Sequence, residues 1–333
     1  MKRGSIRMAV VGCGHITRTV HLPVLRKLGV EVVAVADPDE ANRQQALTWA
    51  PGAKAVPDVG EALRTNCDAV LVATPTSSHG PVGLAVLEAG RHLYMEKPLA
   101  MSLEEAAMLV RARERAGVVA MMGFNYRFNP LVERVRCILR SGRLGAVRRV
   151  RSWFTTPVRP MPMWRQARAS GGGALLELGS HHFDWVPWVM GRQPVCVEAV
   201  VRSERVEMDW AGVKWELEGG VRVESLFSVS AASDADGMEL ECERGSLRFD
   251  RYRNRSVWLS GWRWLARVPG AYWWRRMRTV GNEPSYERAW RAFIEAVQAG
   301  AQVSPSIEDG YRSLRWVLAA EESARVGRPV TLE

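Results

Sequence analysis

The chain has 333 residues, of which 47% are hydrophobic and 25% are charged, a balance typical of folded globular domains. This length is sufficient for two hydrophobic cores, so we expect two domains. No run of about 18 apolar residues occurs, which argues against a helical membrane span. The five cysteines are widely spaced and form no CxxC pair, so we expect neither disulfides nor a metal site, and we expect a cytoplasmic protein.

The net charge of +10 is concentrated in one segment. Residues 251–278 contain eight arginines and no acidic residue, and subtracting these eight charges leaves +2 on the remainder of the chain. Because the excess charge is local, it does not indicate a globally basic binding surface. We therefore expect no nucleic-acid partner.

The first 125 residues alternate short β-branched runs with longer helical patterns, which predicts βαβ units and a parallel sheet. The candidate strands are 6–11, 32–36, 69–73, 92–95 and 118–122, and the helices between them include 80–89 and 103–116. A right-handed doubly wound sheet of this kind binds ligands at the carboxyl ends of its strands.

The pattern changes after residue 125. Alternating segments at 147–154, 195–201, 221–229, 238–242 and 246–249 predict a largely antiparallel open sheet with one solvated face. Helices are predicted at 173–190, 285–299 and 306–325. The predicted fold class is α/β: an N-terminal Rossmann doubly wound parallel sheet (residues 1–125) plus a C-terminal α+β domain with a largely antiparallel open sheet (residues 126–333), used for substrate binding and oligomerisation.

A glycine-rich turn joins the first strand to the first helix. Gly12 permits the tight turn, and Gly14 lets the backbone approach a pyrophosphate that the following amides and helix dipole stabilise. Thr17 replaces the third glycine of the usual pattern. Asp37 ends the second strand, where a carboxylate accepts hydrogen bonds from the adenine ribose. Together they predict a dinucleotide site.

The carboxylate of Asp37 would repel the 2′-phosphate of NADP, so we predict NAD as the cofactor. NADP stays an alternative because Arg43 could reach a phosphate. A second interpretation of Asp37 is a turn residue before the next helix.

Further motifs follow in an order that resembles the Gfo/Idh/MocA oxidoreductase family, which includes glucose-fructose oxidoreductase and inositol dehydrogenase. The matching motifs are Gly12 to Ile16 with His21-Leu22-Pro23, Thr74-Pro75 with His79, Glu96-Lys97-Pro98, Asn125 with Arg127 and Pro130, and Gly171-Gly172-Gly173 leading to His181 and Asp184. The resemblance implies cofactor contacts from Gly12, Gly14, His15, Ile16, Asp37, Thr74, Pro75, His79, Glu96, Lys97 and Asn125. It also implies substrate contacts from Tyr126, Arg127, Trp164, Arg165, Glu177 and His181.

Three residues are the catalytic candidates. Lys97 follows an apolar strand and should project at the carboxyl edge of the sheet, although it could instead pair with Glu96 at the surface. His181 has a side chain that titrates near neutral pH, and Glu177 lies four positions before it on the predicted helix. The resemblance implies that Lys97 contacts the reacting hydroxyl, that His181 is the acid/base and that the position of Glu177 is usually Asp. We also predict a cis bond between Lys97 and Pro98.

The predicted reaction is hydride transfer between nicotinamide C4 and a hydroxyl-bearing carbon of a sugar, sugar derivative or cyclitol. Two alternatives stay open: a redox-neutral NAD-dependent glycosidase, and a non-catalytic NAD-binding sensor or partner protein. We expect a homo-oligomer, a dimer or tetramer, because sheets of this type often pair face to face. The Trp/Arg-rich segment 258–278 is interpreted either as aromatic cover for a core or interface, or as a surface for a nucleotide-linked or anionic sugar.

Overall fold

The computed structural model describes residues 6–252, 256–261, 264–269 and 283–332, with the backbone alone at 256, 261 and 264–269. The chain divides into two compact units, Met1–Phe128 with Met277–Tyr311 and Asn129–Arg276 with Arg312–Glu333. Each unit thus combines two separate stretches of sequence. The single domain boundary expected between residues 125 and 126 stays a prediction.

The first unit contains a parallel sheet. Its strands, counted over the described residues, are β1 (Arg7–Val11), β2 (Glu31–Ala36), β3 (Lys54–Val56), β4 (Ala69–Val72), β5 (His92–Met95) and β6 (Ala120–Met122). All neighbouring pairs are parallel, and the order is β3-β2-β1-β4-β5-β6. This order is that of a dinucleotide-binding Rossmann sheet, whose strand order reverses beside β1.

Helices connect these strands. They are α1 (Leu22–Lys27), α2 (Glu40–Leu47), α3 (Val59–Leu63), α4 (His79–Glu88) and α5 (Leu103–Ala116). The amino-terminal ends of three of them are capped by side chains that accept a backbone N–H, namely Asp39, Asp58 and Ser102. A π-helical turn, Thr17–His21, precedes α1, which begins with proline in its first turn.

The second unit is built on a mostly antiparallel sheet. Its strands are β7 (Val147–Pro157), β8 (Pro194–Arg202), β9 (Trp210–Leu217), β10 (Val221–Ala231), β11 (Ala235–Cys242), β12 (Gly245–Asp250), β13 (Ser256–Gly261), β14 (Trp264–Pro269) and β15 (Val330–Thr331). Their order over the described ranges is β14-β13-β12-β11-β7-β10-β9-β8-β15, and β7 pairs with β10 in parallel while the other neighbours are antiparallel. The predicted fold class is therefore confirmed.

Helices α6 (Pro130–Arg140) and α7 (Ser180–Met190) belong to the second unit. Helix α7 packs on one face of the sheet through aromatic contacts, because Phe183 meets the ring of Trp215 at 4.9 Å and Trp185 meets that of Phe249 at 6.0 Å. The sequence predicts one regular helix over 173–190. The structure instead has a π-helical turn, Leu175–Gly179, followed by α7.

The last two helices are α8 (Pro284–Ala299) and α9 (Ile307–Val326). Helix α8 lies in the core of the first unit, where the ring of Trp290 stacks on that of Tyr94 at 4.2 Å. Phe293 meets both rings edge to face, at 5.7 and 5.6 Å. Edge-to-face and offset contacts of this kind are the preferred arrangements of aromatic rings. A helix from far along the chain thus packs against the parallel sheet.

None of the described helices has both the length and the apolar character required to cross a bilayer.

Candidate active site

The glycine turn after β1 fits a dinucleotide. Gly12 has φ +92°, and a Cβ at this position would lie 2.6 Å from the carbonyl carbon of Ala73 and 2.8 Å from the nitrogen of Thr74. Only glycine therefore permits the close approach of these two strand ends. Gly14 is different, because a Cβ built on it meets nothing within 4 Å. The space above Gly14 and the exposed His15 is open for a pyrophosphate at the start of the helix.

Asp37 is held at the end of β2 by the glycine turn. Its Oδ2 accepts the backbone N–H of Cys13 at 2.8 Å, and its Oδ1 accepts that of Asp39 at 2.9 Å. Burial raises the pKa of the Cys13 thiol to about 12, and the negative charge of Asp37 contributes to this increase. The guanidinium of Arg43 donates to the carbonyl oxygens of Asp37 and Pro38 at 2.6 and 3.1 Å. The carboxylate and Arg43 thus lie together where an adenine ribose would bind.

Two loops at the carboxyl ends of β4 and β5 are joined through His79. Its Nδ1 lies 2.6 Å from the carbonyl oxygen of Pro98, and its Nε2 lies 2.9 Å from that of Thr74. Burial holds the pKa of His79 below its ordinary value, although the carbonyl oxygens of Pro98 and Thr74 act in the opposite direction. His79 therefore braces the loops that carry Thr74, Pro75 and Lys97. The predicted cis bond between Lys97 and Pro98 is confirmed.

Glu96 is buried beside Lys97 at the end of β5. Its Oε1 lies 3.0 Å from Nε2 of His21, and its Oε2 accepts the backbone N–H of Lys97 at 3.2 Å. Nδ1 of His21 accepts the indole N–H of Trp290 at 3.1 Å. Burial alone would raise the pKa of Glu96, but the hydrogen bond from His21 and the charge of Lys97 outweigh it, so that pKa is lower than usual.

Asn125 and Arg127 follow β6. Asn125 donates to Oγ of Ser285 at 2.9 Å, whereas its Oδ1 is buried and meets no hydrogen-bond partner among the described residues. Oγ1 of Thr74 is likewise buried and has no hydrogen-bond partner within the described ranges. Buried polar atoms normally have partners, so these two atoms fit the polar groups of a bound dinucleotide.

Arg127 is buried and forms an ion pair with Asp309 at 3.0 Å, and it also donates to Ser304. The adjacent Tyr126 is buried as well. The ion pair accounts for the burial of Arg127 within the first unit. A substrate contact from either residue stays a prediction.

In the second unit, His181 lies in the first turn of α7 and is largely buried, with Phe154 at 6.0 Å between ring centroids. The next residue, His182, is fully buried against Trp185 and Phe227, and its Nε2 lies 3.3 Å from Oδ1 of Asp236. Burial lowers the pKa of His182. His182 is therefore a packing residue of the second unit.

Glu177 is brought together with two other predicted substrate residues of this unit, Trp164 and Arg165. Its Oε2 accepts from Nε of Arg165 at 2.9 Å, and the guanidinium carbon of Arg165 lies 6.0 Å from the ring centroid of Trp164. Burial lowers the pKa of Arg165, but the hydrogen bond and charge of Glu177 outweigh it and the net pKa is raised. Glu177 lies in the π-helical turn, which has wider spacing than the α-helix assumed from sequence.

Several residues of these arrangements were not identified as functional candidates from sequence. They are Ser285, Trp290 and Asp309, and His21 was noted only as part of a motif. The available signal was weak, because a buried histidine or tryptophan on a helix predicts core packing. In the described ranges no group of three or more His, Cys, Asp or Glu side chains could hold a metal ion.

Most of the Trp/Arg-rich segment 258–278 lies outside the described residues. Trp262, Trp273 and Trp274 are among those not described, and only the backbone is described for Trp264. Trp258 lies in β13 and is half-buried. Both interpretations of this segment stay predictions.

Because the space at Gly14 is open, a substitution there can test cofactor binding without affecting folding. We expect Gly14→Ala to leave the melting temperature unchanged and to raise the Kd for NADH at least about tenfold, because the added methyl group would lie where the pyrophosphate approaches. Calorimetric titration and thermal unfolding measure the two effects. Gly52→Ala is the matched control, since a Cβ there also meets nothing within 4 Å and lies outside the turn. Equal NADH affinity in all three proteins would contradict this assignment.

Comparison with known proteins agrees with these features. The family model described as "Oxidoreductase family, NAD-binding Rossmann fold" matches residues 6–124, and the model "GFO/IDH/MocA C-terminal domain" matches residues 132–248. The chain is similar to a 1,5-anhydro-D-fructose reductase of Ensifer adhaerens, with 30% identity over 98% of each protein. It is also similar to an inositol 2-dehydrogenase of Corynebacterium glutamicum (strain ATCC 13032), with 28% identity over 92% of this chain and 90% of the relative.

Among solved structures, a levoglucosan dehydrogenase in complex with NADH has the same fold, with a TM-score of 0.89 at 20% identity over 99% of this chain and 100% of the other. The predicted cofactor and the predicted family are both confirmed, the cofactor through the NAD-binding Rossmann domain. The chain belongs to the GFO/IDH/MocA family of NAD-binding oxidoreductases.

Proposed function

We propose that this protein transfers a hydride between NAD and a hydroxyl-bearing carbon of a sugar, sugar derivative or cyclitol. The names of full-length relatives support this substrate class, since they act on an anhydro sugar and on inositol. The observation that carries the proposal is Lys97, which follows a buried carboxylate at the carboxyl end of β5, where sheets of this type bind their ligands. A side chain suited to proton transfer, His181, is available in the second unit.

The chemistry assigns one task to each residue. Bound NAD supplies the hydride acceptor or donor. When an alcohol is oxidised, His181 takes the hydroxyl proton while the C–H bond breaks and the C=O bond forms. The ammonium of Lys97 stabilises the negative charge that develops on the oxygen of the substrate hydroxyl. In the reverse direction His181 returns the proton to the new hydroxyl group.

Glu177, Trp164 and Arg165 contact the substrate in this proposal. The positive charge of Arg165 is already paired with Glu177 within hydrogen-bond distance. A paired guanidinium attracts an anion less strongly than an unpaired one. We therefore favour a neutral polyol at these residues, and a nucleotide-linked or anionic sugar is the alternative. Tyr126 and Arg127 stay in the proposed substrate set on the family pattern alone.

The role of His181 can be tested by substitution. We expect His181→Ala to lower kcat by about 100-fold or more, because the hydroxyl proton loses its acceptor, while the Kd for NADH stays within about twofold. The assay follows NADH absorbance with a panel of sugars, inositols and nucleotide sugars. Turnover equal to that of the unsubstituted protein would remove His181 from the mechanism.

The same assay separates the two rival functions. A redox-neutral NAD-dependent glycosidase would release product without net formation of NADH. A non-catalytic NAD-binding protein would bind NADH and turn over no member of the panel.

We also propose that NAD is preferred to NADP. The carboxylate of Asp37 stands at the end of β2 where a 2′-phosphate would bring a second negative charge. Asp37→Asn keeps an oxygen that can accept the Cys13 N–H but removes the charge. We expect this variant to reduce the ratio of the Michaelis constants for NADP and NAD by a factor of about five, since a like-charge contact costs about 1 kcal/mol. A ratio below one in the unsubstituted protein would contradict the preference.

We further propose that the solvent-facing side of the second sheet pairs with a second copy of the chain. Residues in register across six strands alternate in sign along this face, in the order Glu198, Lys214, Glu224, Arg151, Glu239 and Arg248. A row of alternating charges can oppose its own copy about a two-fold axis. Beside this row, Val200 and Leu226 are exposed, at 55% and 38%.

Sedimentation velocity tests this interface. We expect a dimer or tetramer for the unsubstituted protein and a smaller species for Val200→Glu combined with Leu226→Glu, because buried unpaired carboxylates oppose association. Val158→Glu is the control, since Val158 is exposed and lies just beyond β7. A monomer before substitution would contradict the proposal.

The expected cytoplasmic location stays a prediction that rests on cysteine usage, and each of the five cysteines is a free thiol.

A further inference from the structure

A chain of buried hydrogen bonds connects helix α8 to Lys97 within the first unit. The indole N–H of Trp290 donates to Nδ1 of His21 at 3.1 Å, and Nε2 of His21 lies 3.0 Å from Oε1 of Glu96. The other carboxylate oxygen accepts the backbone N–H of Lys97 at 3.2 Å. The side chain of His21 is fully buried, so water does not compete for these bonds.

The positions of the protons follow from the donors and acceptors in this chain. An indole N–H can only donate, so Nδ1 of His21 must be unprotonated. The single ring proton is therefore on Nε2, which donates to Glu96. Both oxygens of Glu96 act as acceptors, one for His21 and one for the amide of Lys97. Glu96 is accordingly ionised and His21 is neutral.

The carboxylate of Glu96 fits its site closely. A Cβ at position 123 would lie 2.8 Å from Oε1 and 2.9 Å from Cδ, so any other residue there would displace the carboxylate. The ring of His21 is enclosed by Tyr94, Tyr286 and Trp290, each edge to face at 5.8 to 5.9 Å between ring centroids. A charge in such apolar surroundings depends strongly on its few hydrogen-bond donors.

We propose that His21 is a positioning residue: with its proton fixed on Nε2 by Trp290, it holds the Glu96 carboxylate in place beside Lys97. This inference rests on the catalytic role of Lys97 in the proposed function. His21 acts through Glu96, which fixes the backbone amide of Lys97 and places a negative charge beside its ammonium. Without the donor from His21, Glu96 would be buried with a single hydrogen bond.

The pH dependence of catalysis should report the loss of this donor. Among the described residues, the charged and titratable groups around this chain of hydrogen bonds are His79 from α4, Tyr94 from β5, Tyr286 from α8 and Lys97. In the unsubstituted protein the pKa of Glu96 is lowered, so Glu96 stays ionised down to acidic pH. In His21→Leu the effect of burial dominates and raises the pKa of Glu96. When the pH is lowered, this variant should therefore lose activity at a higher pH than the unsubstituted protein does.

We therefore expect His21→Leu to lower kcat at least about tenfold and to move the acidic limb of its pH profile upward by about one unit or more. His21→Gln should restore most of both, because its amide can donate to Glu96 and accept from Trp290. His92→Leu is the control, since His92 also lies in the first unit and its Nδ1 accepts the N–H of Val119. It should leave the limb in place.

Unchanged kcat and an unshifted limb in His21→Leu would overturn the proposal. If this variant does not fold, Trp290→Phe decides by the same profile, because it keeps an aromatic ring and frees Nδ1 of His21. An unshifted limb in Trp290→Phe would then overturn the proposal.

A measurement without substrate keeps this inference separate from the proposed function. Nitrogen-15 spectra of the histidine side chains of the whole protein, assigned with His21→Gln, should show His21 as the neutral Nε2–H tautomer. An Nδ1–H tautomer or an imidazolium would overturn the positioning role. A protein that shows this tautomer but oxidises no polyol would count against the proposed function and not against the hydrogen-bond chain.

Discussion

The buried carboxylate of Glu96 is the constraint on which the first unit depends most. Removing an ionised carboxylate from water costs several kcal/mol unless donors replace the lost solvent. One donor, His21, comes from the helical turn before α1, 75 positions earlier, and the other is the amide of the next residue, Lys97. Trp290, on α8, fixes the ring of His21. Trp290 therefore takes part both in the packing of α8 on Tyr94 of β5 and in the hydrogen bonds that reach this charge.

The same constraint connects stability with function. Lys97 is the residue immediately after the carboxylate, so its backbone is anchored on one side by Glu96. On the other side His79 holds the carbonyl of Pro98. A lysine has a long, flexible side chain, and it can act at a defined point only if the backbone that carries it is fixed. The polar contacts of this loop therefore serve the proposed chemistry as well as the fold.

Much of this architecture could be predicted from the sequence, because it depends on local patterns. The strands β1, β2, β4, β5 and β6 follow apolar runs, and Gly12 and Asp37 follow from the spacing of a strand, a turn and a second strand. Strand β3 has three residues, two of them exposed, and carries no periodic signal. The two π-helical turns were also not predicted, since one additional residue in a turn barely alters the hydrophobic period.

Contacts between distant residues were beyond local patterns. Arg127 pairs with Asp309, which lies 182 positions later, and Trp290 reaches His21 across 269 positions. In the second unit Glu177 has an arginine partner, Arg165, twelve positions earlier, and the pairing changes the charge that a substrate would meet. Sequence thus named the candidate site residues, whereas their partners required the structure.

In the proposed function Lys97 and His181 act on the same substrate hydroxyl, and a double-substitution cycle tests this proposal most directly. Residues that act as a unit have strongly non-additive effects on turnover. We expect Lys97→Met combined with His181→Ala to lose little more activity than the more damaging single substitution. Losses that multiply would contradict it, because they would indicate two residues that contribute independently.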